Sequence, residues 1–143
     1  MKIASILLVL LALVVAFVPQ FTDCESQGRA ITLANGMTIP MKCHWTGQSE
    51  LALSAPLLGL GILLRTSRRK ESLRSLGVLG MIVGVFIILL PTALIGVCSD
   101  PHMICNAVMR PTLILTGTMT CIASLYVTVT AFRAQEDVAW QQA

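Results

Sequence analysis

Arg65-Thr-Ser-Arg-Arg-Lys-Glu-Ser-Leu-Arg74 is the densest run of positive charge in the chain. Five of the ten Lys and Arg residues fall within it, and long apolar runs lie on both sides. Positive charge beside apolar spans is kept on the cytoplasmic side of a membrane. Placing this loop inside therefore orients every other segment. The 143 residues suffice for one domain over 1–143. Mean hydropathy is +0.81. Only 12% of residues are charged, against about 25% in a typical globular domain. This is the composition of a polytopic membrane protein in contact with the lipid bilayer. The net charge of +3 is no evidence for nucleic acid, since topology already explains half of the positive residues.

Working outward, four apolar spans are expected. The first covers about 3–21, reached by extending the run Ile3–Val18 through Pro19-Gln20-Phe21, because a span needs about 20 residues. A cleaved signal peptide competes with it. No small-x-small site follows Ala16, and Phe-Thr-Asp before Cys24 is not a lipoprotein pattern. An uncleaved helix is therefore expected. The second span covers about 48–64, with Pro56, Gly59 and Gly61 inside and Trp45 at its outer end. The third covers about 76–97. Its Gly77, Gly80 and Gly84 allow close helix approach, to a neighbour in the same chain or to a second copy in an oligomer. The fourth covers about 111–133, opens on Pro111, and carries threonines able to bond back to helix carbonyls. Lys2, the five loop residues and Arg133 then lie inside, while only Arg29, Lys42 and Arg110 lie outside. Both termini are cytoplasmic on this reading, in the cytoplasmic membrane of a prokaryote.

Between the first two spans, Asn35-Gly36 separates Ala30-Ile-Thr-Leu-Ala34 from Met37-Thr-Ile-Pro-Met41. Asn-Gly between β-prone runs predicts a two-residue hairpin turn with both central residues at positive φ. The expected fold is an all-α membrane protein, a four-transmembrane-helix bundle under a small, disulfide-braced, extracytoplasmic β-hairpin cap.

The bracing comes from the cysteines. Cys24, Cys43, Cys98 and Cys105 fall outside, and Cys121 falls within the fourth span. Four cysteines on the oxidising side read as two disulfides, with three pairings open. Cys24–Cys43 with Cys98–Cys105 is the simplest, and the alternatives staple the two outer loops together. Cys121 reads as a small apolar packing residue.

Three constellations could carry chemistry. Met41-Lys-Cys-His-Trp45 and Pro101-His-Met-Ile-Cys105 set both histidines beside outer sulfur. Cys43, His44, His102, Met103 and Cys105 could thus hold a soft metal such as copper, or a haem iron. The plainer reading is bridged cysteines with incidental neighbours and no cofactor. Second, four helices with a cysteine pair in each outer loop match quinone-linked thiol–disulfide oxidases. The spacings Cys-x18-Cys and Cys-x6-Cys lack the Cys-x-x-Cys such enzymes use. Third, Glu50 near hydrocarbon is a site candidate. The plainer reading is a residue at the interfacial start of a helix, near Arg110. No phosphate loop, HExxH or nucleophile motif is present, so a non-enzymatic protein is expected.

At Met41-Lys-Cys-His-Trp-Thr-Gly-Gln-Ser-Glu50, and again at His102-Met-x-Cys105 with Met109-Arg-Pro-Thr112, the chain resembles a family of small prokaryotic four-helix membrane proteins. That family is catalogued as a domain of unknown function, and the similarity spans nearly the whole chain. Its members are often encoded near ABC transporters whose permeases have large extracytoplasmic domains. The resemblance implies an accessory subunit for such a permease and supplies no catalytic residues. His44, Trp45, Glu50, His102, Met103 and Arg110 are then the cap residues expected to meet the partner.

Overall fold

The structure, a computed structural model, describes residues 2–24, 28, 31–67, 69–100 and 102–140, with the backbone alone for 2, 70 and 134–140. Arg29 and Arg68 lie outside the described residues. Helix α1 spans Lys2–Thr22, α2 Lys42–Thr66, α3 Lys70–Leu89 and α4 Arg110–Trp140. A π-helical turn, Leu90–Leu94, extends α3, and another, Cys105–Met109, leads into α4. Strands β1, Ile31–Thr32, and β2, Thr38–Ile39, form the only sheet among the described residues. The four helices are each long and apolar enough to cross a membrane. Outward faces stay apolar, with Ile6, Leu10, Phe17, Ile122 and Leu125 exposed, as lipid contact requires.

Two close helix pairs build the bundle, α1 with α2 and α3 with α4. Small residues set both. A Cβ on Gly61 would lie 2.7 Å from Val9 Cγ2 and 3.3 Å from the Ser5 carbonyl oxygen. Gly47 lies against Pro19. The helices therefore run antiparallel, with the start of α1 beside the end of α2. On α3, Gly77 meets Thr128, Gly80 meets Ser124, and Gly84 meets Cys121 and the Gly117 carbonyl. A Cβ on Gly84 would lie 2.7 Å from Cys121 Sγ. The glycines of 76–97 thus serve a contact within the chain, where dispersion at short range replaces the hydrophobic effect that lipid removes. Leu8, Leu57, Ile87, Met109 and Leu113 fill the centre, fully buried.

This pairing sends the start of α1 and the end of α4 to the end of the bundle that carries Arg65, Arg69 and Arg74. At that basic end the Arg74 guanidinium lies 4.1 Å from the Phe132 ring centroid. The hairpin and four of the cysteines occupy the opposite end, the cap.

Boundaries differ from the hydropathy reading in three places. Helix α2 begins at Lys42 rather than near 48, so Lys-Cys-His-Trp is the first helical turn and not loop. Buried Cys43, Thr46, Gly47, Glu50, Ser54 and Leu57 show why. They recur at the 3.6-residue helical period and hold the polar turn against the bundle. Helix α3 begins at Lys70, and α4 continues to Trp140. The hairpin turn also differs. Asn35 does not have positive φ, while Gly36 does, at 80°. Gly36 N–H donates to the Leu33 carbonyl at 2.9 Å, and Leu33 N–H donates to the Met37 carbonyl at 2.8 Å. This is a type I turn followed by a left-handed glycine bulge, the usual three-residue hairpin loop.

On α4, Thr112, Thr116, Thr118, Thr120, Thr128 and Thr130 donate to carbonyls one turn back. Their hydroxyls are thereby satisfied within the helix.

Candidate functional site

Four structural elements converge at the cap. Cys24 follows the last turn of α1, and Cys43 lies in the first turn of α2. Cys98 lies in the loop after the Leu90–Leu94 turn, and Cys105 opens the turn into α4. Pro91 and Gly96 shape that loop. Pro91 is buried inside the π-helical turn. Gly96 takes the left-handed conformation, at φ 79°, its N–H donates to the Leu90 carbonyl at 3.0 Å, and its carbonyl accepts the Thr46 hydroxyl at 2.7 Å. That bond ties the loop carrying Cys98 to the turn of α2 carrying Cys43.

The result is a shared sulfur cluster. The Sγ atoms of Cys24, Cys43, Cys98 and Cys105 all lie within 4.8 Å of one another. Cys24 stands 2.7 Å from Cys43, 3.4 Å from Cys105 and 3.8 Å from Cys98. Cys43 stands 3.6 Å from Cys98. Cys24, Cys43 and Cys105 are buried and Cys98 is half-buried. All five cysteines are free thiols. The shortest separation exceeds the about 2.05 Å of a disulfide. Two bridges were expected, with one per loop the simplest of the three open pairings. The structure instead shows one cluster in which sulfurs of different loops are neighbours. Burial pushes the Cys24 thiol up from its ordinary pKa, and the hydrogen bond to Cys43 adds to it. The Met41 thioether adds a fifth sulfur, 4.0 Å from Cys98 Sγ. A polar recess of about 310 Å³, lined by Thr92, Cys98, Ser99, Asn106 and Arg110 among others, opens beside Cys98.

The other sequence candidates take different places. His44 Nδ1 sits 3.3 Å from the Asp23 carboxylate, a partner that only the folded cap brings near. His102 is exposed, with its backbone N–H on the Asp100 carboxylate at 3.0 Å. Met103 packs half-buried against the core. Among the described residues, the group drawn together within ligand distance is therefore the four cysteines, rather than Cys43, His44, His102, Met103 and Cys105. Sequence reasoning found all four cysteines but assigned Cys24 and Cys98 only to bridges. Trp45 and Arg110 are exposed at the cap. Cys121 lies half-buried in α4 against α3, apart from the cluster.

Glu50 is the largest departure. It is fully buried, and neither carboxylate oxygen has a hydrogen-bond partner among the described residues. It lies seven residues after Cys43 on the same buried stripe of α2, roughly 10 Å deeper at 1.5 Å per residue. A surface role at the start of a helix does not fit this position, because α2 starts two turns earlier.

Chemically, four convergent thiols can do two things. They can bridge and exchange in pairs, or as thiolates they can hold one soft cation. A family model described as a domain of unknown function, DUF4418, matches residues 3–130, well over half of the chain. No curated protein and no solved structure matches.

Proposed function

The chain belongs to the DUF4418 family, and we propose that it acts as a non-enzymatic, multi-pass subunit of a membrane assembly, docking a protein partner through the hairpin of its cap. The observation that carries this is the hairpin itself. Ile31, Leu33, Met37 and Ile39 are 53%, 40%, 63% and 44% exposed. Among the described residues, the other large exposed apolar side chains lie on the four helices or at their π-helical ends, where lipid accounts for them, apart from Ile104 just before the turn into α4. The hairpin stands on a loop, and its two-stranded sheet has both edges open among the described residues. An open edge with apolar side chains suits addition of an extended strand from a partner.

Charge supports the side on which this happens. The cap lies opposite the basic loop, so the inside-positive rule sets it on the extracytoplasmic face. A partner reached there has an extracytoplasmic domain. The family resemblance carried by Lys42-Cys-His-Trp45 and His102-Met-x-Cys105 supports the permease of an ABC transporter in that role.

A photocrosslinking amino acid at Leu33 or Met37, activated in native membranes, tests the reading. The expected product is a discrete adduct with one polytopic permease. The same probe at Leu79 on α3 should give lipid adducts. Lipid adducts alone from the hairpin positions would overturn it and make the hairpin a membrane-surface anchor.

A further inference from the structure

We infer that Cys24, Cys43, Cys98 and Cys105 form a tetrathiolate site for a single soft or borderline d10 cation, Zn2+ or Cu+. This goes beyond the docking role and does not depend on it.

Two bridges confined to their loops would hold each loop without bringing four sulfurs together. Here four separate elements deliver one sulfur each into a volume where every pair lies within 4.8 Å. A tetrahedral zinc site with Zn–S of about 2.3 Å sets its sulfurs about 3.8 Å apart. Three of the separations, 3.4, 3.6 and 3.8 Å, lie at or slightly below that spacing. The 2.7 Å between Cys24 and Cys43 opens by about 1 Å to admit the ion. Sulfur-only ligation selects Cu+ and Zn2+ over hard cations. Cysteines on opposite irons of an iron–sulfur cluster stand further apart than this group, and a haem plane has no slot among sulfurs so close together.

Access and charge also fit. Three of the four cysteines are shielded, while half-buried Cys98 lines the polar recess. An ion enters there and meets Cys98 first. Binding Zn2+ to four thiols forms four Zn–S bonds, releases four protons and leaves a net charge of −2 on the site. Arg110 on the wall of the recess offsets part of that charge. The loaded ion joins the end of α1, the start of α2, the loop after the Leu90–Leu94 turn and the turn leading into α4, so it would brace the cap as a structural zinc does.

The test uses the full chain, extracted in mild detergent with reductant and without oxygen. Elemental analysis should find one equivalent of Zn2+ or Cu+ per chain. Added Co2+ should produce the thiolate-to-cobalt charge-transfer and ligand-field bands of a tetrahedral S4 site, saturating at one equivalent. The loaded protein should resist alkylation at all four cysteines and lose that protection with a chelator. Cys98→Ser should abolish the cobalt bands, while Cys121→Ser should retain them. Should Cys98→Ser fail to fold, the alkylation pattern of the unaltered chain still decides. Mapping of cysteines trapped in intact membranes that finds them bridged, with no bound metal, overturns the inference. Four free thiols that take up none of Zn2+, Cu+ and Co2+ overturn it equally.

Discussion

Replacing Glu50 with Met should stabilise the bundle. Both carboxylate oxygens of Glu50 are buried without a hydrogen-bond partner among the described residues, and the side chain is fully enclosed. A buried polar group left unsatisfied costs about 1–3 kcal/mol. Met has the length and lack of branching of Glu, so it fills the same space without a polar atom to satisfy. A gain of about 2 kcal/mol shifts the unfolding equilibrium roughly 30-fold. Glu50→Gln should stay within about 0.5 kcal/mol of the parent, because its amide is as short of partners as the acid. Both follow from reversible unfolding of the full chain in mixed micelles, read by circular dichroism. Loss of about 1 kcal/mol or more in Glu50→Met would show that the buried carboxylate is not an unmet cost. It would mean that the carboxylate holds a ligand or cation whose removal outweighs the gain. The residue would then be kept for binding, as intramembrane acids commonly are.

Gly84→Leu should separate α3 from α4, since even a Cβ there would meet Cys121 Sγ at 2.7 Å and the Gly117 carbonyl oxygen at 3.1 Å. A loss of about 1–3 kcal/mol in the same micelle assay is expected. Gly59→Ala, where a Cβ meets nothing within 4 Å, should leave stability nearly unchanged. Thr46→Val removes the hydroxyl that Gly96 accepts and should cost about 1 kcal/mol. Faster alkylation of Cys98 should accompany it as the loop loosens. Arg74→Ala removes the guanidinium from the Phe132 face, with an expected loss of about 0.5–1 kcal/mol at this exposed contact.

The spans were legible because lipid imposes length and apolarity directly on sequence. The runs around 3–21 and 76–97 needed no tertiary information. Hydropathy failed at the start of α2 for a physical reason. Residues 42–47 are polar, yet Cys43, Thr46 and Gly47 face the bundle, so packing extends the helix beyond the apolar run. That shift of six residues moved Glu50 from an expected surface to the interior. Asn35-Gly36 announced a hairpin correctly, but the turn type depends on strand register, Ile31 opposite Ile39, which local sequence does not fix. The sulfur cluster was only half legible. Four cysteines on one side follow from charge, but their meeting depends on the bend at Pro91 and Gly96 and its bond to Thr46. The glycines of α3 were legible as contact makers, while their partner, α4, was not.

Everything proposed for the cap requires that the hairpin and the sulfur cluster, at the end opposite the basic loop, face the extracytoplasmic side. The direct measurement is epitope accessibility in intact cells, with one tag inserted after exposed Ala34 and, in a second chain, one after Ala143. Antibody should bind the Ala34 tag on intact cells and the Ala143 tag only after permeabilisation. The reverse pattern, or both tags on one side, would contradict that placement.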